Sequence, residues 1–181
     1  MRVLVTAASK HGATNEIGET IADVLRQRGL DVTIATVDDV QSLDAYDAVI
    51  LGSAIYVGRW LKSARQFVAR HGGELASRSV WLFSSGPIGD PAMPKEEAVD
   101  IAEMMRITGA RGHRTFAGKL ARGDLGLAEK MVATALRVKD GDFRDWRGVA
   151  EWAATIAEAL IDARPDREAA TAHAHEQGVA R

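Results

Sequence analysis

Ser9-Lys10-His11-Gly12-Ala13-Thr14 joins the apolar run Val3-Leu4-Val5 to a stretch in which Ile17, Ile21, Val24 and Leu25 recur at helical spacing. A buried strand running through a hydroxyl-rich loop into an amphipathic helix is the arrangement on which an α/β reading turns. The first backbone N–H groups of a helix lack intrahelical acceptors and sit at the positive end of its dipole, so a phosphate finds donors and a favourable field together. Ser9 and Thr14 add hydroxyl donors, and Gly12 lets the main chain close around an anion. An ordinary helix cap and turn would use the same residue types, so the rest of the chain has to decide.

Working outward, residues 2–6 read as a buried strand and residues 14–28 as a helix stopped by Gly29. A second strand is expected from Asp31 to Val37. Ala48-Val49-Ile50-Leu51 is an unbroken apolar run too short for a helix, as expected of a central parallel strand, and the loop Gly52 to Arg59 follows it. Trp60, Leu61, Ala64, Phe67 and Val68 recur at helical spacing, with Gly72-Gly73 as the expected stop. Val80-Trp81-Leu82-Phe83 repeats the buried-strand pattern, and Ser84-Ser85-Gly86-Pro87 repeats the loop. A helix from about Lys95 to Thr108, a last strand at Arg114 to Gly118 and a final helix from about Asp145 to Ala163 complete the alternation. Trp81, Trp146 and Trp152 are assigned to packing.

Such alternation predicts a doubly wound five-stranded parallel sheet with helices on both faces. Ligands of these sheets bind beyond the carboxyl ends of the strands. Loops 7–14, 52–59 and 84–90 are all rich in Gly, Ser or Thr and would converge on one edge, so one shared ligand is more economical than three coincidences. Residues 1–164 are read as one domain with a helical insertion around 119–144, and 165–181 as a disordered tail without an apolar face.

Composition removes several classes. The chain of 181 residues has no cysteine, which excludes thiol chemistry and fits a reducing cytoplasm. No run approaches a membrane span. A net charge of -2 makes no case for nucleic acid as a general partner. The first loop lacks the Gly-Lys-Ser/Thr ending of a P-loop and the three-glycine dinucleotide fingerprint. Ala7-Ala8 and Gly52-Ser53 stand where a receiver domain needs acidic residues.

Ser9-Lys10-His11-Gly12-Ala13-Thr14 resembles the phosphate-binding loop of flavodoxins, a Ser/Thr-x-x-Gly-x-Thr pattern after the first strand. Across nearly the whole chain the sequence is similar to the flavodoxin-like branch that includes the menaquinone-dependent protoporphyrinogen oxidases. That narrower likeness is carried by Gly52-Ser53-Ala54-Ile55-Tyr56-Val57-Gly58, Phe116-Ala117-Gly118-Lys119-Leu120, and Asp145-Trp146 after the insertion. The resemblance implies noncovalent FMN. Ser9, Lys10, His11, Gly12, Ala13 and Thr14 would hold its phosphate. Ser53, Ala54, Ile55, Tyr56, Val57 and Gly58 would line one side of the isoalloxazine, and Ser84, Ser85, Gly86, Pro87 and Ile88 the other. A flavin ring asks for an aromatic or apolar face and for backbone donors near its polar edge, which these loops contain.

Electron-carrying flavodoxins are usually strongly acidic around the flavin, whereas Lys10, His11 and Arg59 lie in the loops expected to touch it here. A nearby cation stabilises the negative charge of a reduced ring and raises its potential, which suits an enzyme that accepts electrons from a substrate. The resemblance implies that the substrate is reduced and protoporphyrinogen-like and that the electrons pass to a quinone or other acceptor. The alternative is a carrier between a reductase and a client enzyme. The basic run Arg106 to Arg122 and the inserted segment suit propionates, an acidic partner or a peripheral membrane contact, and equally a solvated face. No residue is assigned a catalytic role and no metal is expected; His113 is a candidate proton carrier, and His173 and His175 alone make a weak ligand pair.

Overall fold

The computed structural model describes residues 1–86, 98–120 and 141–163. Its strands are β1 (Arg2–Ala8), β2 (Asp31–Thr36), β3 (Ala48–Tyr56), β4 (Arg59–Trp60), β5 (Ser79–Ser85), β6 (Gly112–Phe116), β7 (Lys119–Leu120) and β8 (Gly141–Asp142). Its helices are α1 (Ala13–Gln27), α2 (Lys62–Ala76), α3 (Ile101–Thr108) and α4 (Trp146–Asp162). The parallel sheet has the order β2-β1-β3-β5-β6, with β4 paired antiparallel to the end of β3 and β7-β8 forming a separate small ladder.

Alternate side chains of the strands feed two cores. Val3, Val5 and Ala7 of β1 face α1 and α4, where Ile17, Ile21, Leu25, Ile156 and Leu160 close the layer. Leu4 and Ala8 face the opposite layer with Phe67, Val68 and Leu75 of α2 and Met104 of α3. Central strands buried on both sides read as near-continuous apolar runs, and Val49, Ile50 and Leu51 are all 0% exposed. Edge strand β2 instead alternates in part. The predicted doubly wound architecture is the one observed.

Several boundaries differ from the sequence reading. Trp60 and Leu61, read into the second helix, precede it: Trp60 pairs in β4 and Leu61 is the N-cap residue of α2. The strand at residues 48–51 does not end at Gly52 but runs to Tyr56, because Gly52 and Ser53 continue the ladder opposite Ala7 and Ala8. Gly52 is needed there for room: a Cβ would overlap the Phe83 ring. Gly72 and Gly73 lie inside α2 rather than ending it. A Cβ at Gly72 would come within 2.7 Å of Ile107 Cγ2, so the glycine permits close approach of α2 and α3. Helix α3 begins at Ile101, and the last strand of the parallel sheet ends at Phe116. Trp146, assigned to packing, is 38% exposed at the start of α4, whereas Trp81 is buried. Most of the expected insertion, residue 164 and the expected tail 165–181 lie outside the described residues.

Register sets the functional edge. Ala8 is level with Ser53, Ser53 with Ser84, and Ser84 with Thr115. The first loop, the β3–β4 hairpin and the end of β5 therefore leave the sheet at the same height.

Candidate functional site

The first loop enters α1 through Gly12, whose φ of +83 is left-handed and whose missing Cβ would meet nothing within 4 Å. With glycine as the N-cap, the cap residue itself has no side chain to bond the helix terminus. Glu16 N–H closes the first turn on the Gly12 carbonyl at 3.1 Å, and Thr14 N–H donates to Ser9 Oγ at 3.3 Å. Thr14 itself is 1% exposed and belongs to the floor of the cradle, while Lys10 and His11 are exposed on its rim. Open space above a left-handed glycine at the positive end of a helix fits an anion.

The second segment is a tight hairpin. Tyr56 pairs with Arg59 across Val57 and Gly58, whose φ values of +50 and +70 are those of a type I′ turn. Val57 is a β-branched residue in left-handed backbone and is fully exposed. Its cost is met by bracing beneath the turn. Ser53 Oγ donates to the Ala54 carbonyl at 2.9 Å and accepts from Leu61 N–H at 3.0 Å. Val99 N–H donates to the Gly58 carbonyl at 3.0 Å, and Asp100 accepts Trp60 N–H with both oxygens at 3.3 Å. Asp100 stands at the N-cap of α3 yet gives its own helix no side-chain hydrogen bond.

The third segment begins at the end of β5. Ser84 and Ser85 are buried, and Gly86 lies so close to Ile55 that a Cβ would come 2.8 Å from that residue's Cβ. Gly86 N–H donates to the Phe116 carbonyl at 3.3 Å. Trp60 Nε1 donates to Ser84 Oγ at 2.8 Å, and His113 Nε2 lies 2.8 Å from the same oxygen. Because the hydroxyls of Ser53 and Ser84 are both fully buried and partnered, they shape the hairpin and the β5 end. These segments offer a ligand their main chain together with the side chains of Ile55, Tyr56 and the exposed Val57. Pro87 and Ile88, expected in the same loop, lie outside the described residues.

The structure brings the first and second segments together at Tyr56. Lys10 Nζ stands 5.0 Å from the Tyr56 ring centroid, and the His11 ring lies 6.5 Å away. An aromatic face, a cation and the open helix terminus thus share one rim.

A charged cluster behind the cradle escaped the sequence reading. Arg144, with a side chain only 2% exposed, bonds Asp142 in bidentate fashion at 2.7 and 2.6 Å and reaches Glu16 Oε2 at 2.8 Å and the Ala13 carbonyl at 3.2 Å. The Arg144 hydrogen bonds hold the Asp142 carboxyl below its ordinary value, and the hydrogen bond to Asp142, with help from Glu16, raises that of Arg144. Only the neighbouring Asp145-Trp146 was legible; Asp145 caps α4 by accepting Gly148 N–H at 3.0 Å. Among the described residues no group of three His, Asp or Glu side chains is placed to hold a metal ion, and no helix is long and apolar enough to cross a membrane.

Comparison with known proteins agrees with this fold. Over 86 residues the chain is 28% identical to protoporphyrinogen IX dehydrogenase [quinone] of Escherichia coli strain K12, an alignment covering 46% of this chain and 48% of that protein. The aligned part is thus about half the length of that relative. Among solved structures, a flavodoxin from the domain Archaea superposes with a TM-score of 0.61 at 20% identity, covering 88% of this chain and 99% of that one. A Streptococcus pneumonia TIGR4 flavodoxin gives 0.58 at 20% identity, covering 90% and 99%. Rubredoxin oxygen:oxidoreductase from Desulfovibrio gigas gives 0.63 at 16% identity, covering 89% of this chain and 36% of that one. The family described as flavodoxin domain matches residues 4–145, so the chain belongs to it, and that membership implies a flavin cofactor and a redox role.

Proposed function

We propose that this protein is an FMN-dependent oxidoreductase that takes electrons from a reduced organic donor of the protoporphyrinogen type and delivers them to a quinone or a comparable acceptor. The observation that carries the reading is the meeting of Lys10 and His11 with Tyr56, which joins a helix-terminal anion cradle to an aromatic wall. When bound, the flavin supplies reversible acceptance of two electrons. The chain supplies the rest. Residues 9–14 hold the phosphate, with Gly12 giving backbone access and Ser9 fixing the Thr14 amide. Tyr56 and Ile55 present one wall for the ring, and Gly86, drawn against Ile55, keeps the opposing loop close.

Charge favours an acceptor of electrons over a low-potential carrier. Lys10 lies beside the wall against which the ring would rest, and Arg59 is exposed at the same hairpin. Cations there stabilise a reduced, negatively charged ring and raise its potential. The partial likeness to the quinone-linked dehydrogenase supports the same donor and acceptor classes.

The test has two parts. Ser9→Ala combined with Thr14→Ala should weaken FMN by at least about tenfold while leaving riboflavin nearly unchanged, because only FMN carries the phosphate. Equal losses would contradict the cradle. An anaerobic redox titration of FMN-loaded protein should then show a lower potential in Lys10→Gln than in the parent, with rapid reduction of the parent by a porphyrinogen; a potential insensitive to Lys10 and no reaction with the porphyrinogen would favour the carrier.

A further inference from the structure

The pairing of β7 with β8 brings Lys119 and Asp142 to neighbouring places, and Phe143 N–H extends that ladder to the Gly118 carbonyl at 3.1 Å. Arg144 follows at once and turns its guanidinium away from solvent into the first turn of α1. Its Nε and Nη2 are taken by Asp142, and its Nη1 by Glu16 and the Ala13 carbonyl. The Trp146 ring covers the guanidinium at 4.3 Å from its centroid. A planar cation with a fork of donors is held in a single orientation by such a set, which a lysine could not reproduce.

Glu16 gives the cluster its meaning. A carboxylate in the first turn stabilises a helix, but at an anion cradle it competes with the ligand for the same positive field and repels it. Arg144 occupies Glu16 Oε2 at 2.8 Å, and Lys119 Nζ lies 3.9 Å from Oε1. Two cations and two carboxylates leave the group neutral, with one cation buried between the ladder and the helix.

We propose that Arg144 is a positioning residue for the cradle: it fixes the Ala13–Glu16 turn and cancels the charge of Glu16, so that the helix terminus selects a phosphorylated flavin over an unphosphorylated one. The proposal rests on the FMN reading above. Its prediction concerns discrimination, since a merely structural arginine would affect both ligands alike.

The experiment titrates FMN and riboflavin by flavin fluorescence into the full chain at fixed salt, for the parent, Arg144→Gln and the double variant Arg144→Gln/Glu16→Gln. Arg144→Gln should weaken FMN about tenfold and riboflavin less than about twofold, and the added Glu16→Gln should recover most of the FMN loss. Equal losses for the two ligands, or no recovery in the double variant, overturn the proposal and leave the cradle standing. A parent that binds both ligands equally defeats the cradle reading and this inference with it. If Arg144→Gln fails to fold, Lys119→Gln decides: this half-exposed side chain is outside the core, and its loss should weaken FMN about threefold without affecting riboflavin. No change in that ratio also counts against the proposal.

Discussion

The indole N–H of Trp60 donates to the hydroxyl of Ser84 at 2.8 Å, tying the short strand β4 to the end of β5 beneath the hairpin that carries Tyr56. Tryptophan nitrogen can only donate, so this bond consumes one lone pair of Ser84 and leaves its proton and second lone pair to His113. Two of the three converging segments are joined through buried atoms and not only through surface loops.

Trp60→Phe keeps most of the buried volume and removes the donor. A loss of about 1–3 kcal/mol in urea unfolding is expected, and a cycle with Ser84→Ala should show coupling between the two sites. Additive losses would mean that the bond does not contribute.

Val57 holds left-handed backbone at full exposure, where its side chain gains no burial in return. Val57→Asn keeps the turn with a residue that tolerates this conformation. It should stabilise the protein by about 1 kcal/mol, read as a higher urea midpoint with an unchanged slope.

Gly52 lies under the Phe83 ring, with no room for a methyl group. Gly52→Ala should cost about 1–3 kcal/mol in unfolding free energy, and Phe83→Leu in the same chain should relieve part of that cost. If the double variant is no better than the sum of the singles, crowding is not the cause.

Asp142 has a carboxyl held below its ordinary value mainly by the Arg144 hydrogen bond. A depressed folded-state value means that the unfolded chain takes up the proton first. The contribution is therefore complete above the ordinary carboxylate value of about 4 and is lost as pH falls through the lower folded value. Between pH 7 and pH 5 the parent and Asp142→Asn should differ in melting temperature by a constant amount, and the gap should narrow below about pH 4. A gap independent of pH down to pH 2 would show that the pair does not titrate in this way.

The chain by itself determined the layered α/β sheet, because strands buried on two faces require unbroken apolar runs and helices buried on one face require Ile17, Ile21 and Leu25 at their spacing. It also made the first loop legible, since strand, glycine and hydroxyls are contiguous there. Local pattern misled at Gly52 and at Gly72-Gly73: Gly52 marks close packing against Phe83 and Gly72 against Ile107, and the helix runs on through Gly73. The pairing of Asp100 with Trp60, of Trp60 with Ser84, and of Arg144 with Glu16 was decided by tertiary structure alone. Those partners lie far apart along the chain, and a charged or hydroxyl side chain carries no periodic signal that names what it will meet; only the sheet register and the packing of α1, α3 and the β7–β8 ladder bring them within hydrogen-bonding distance.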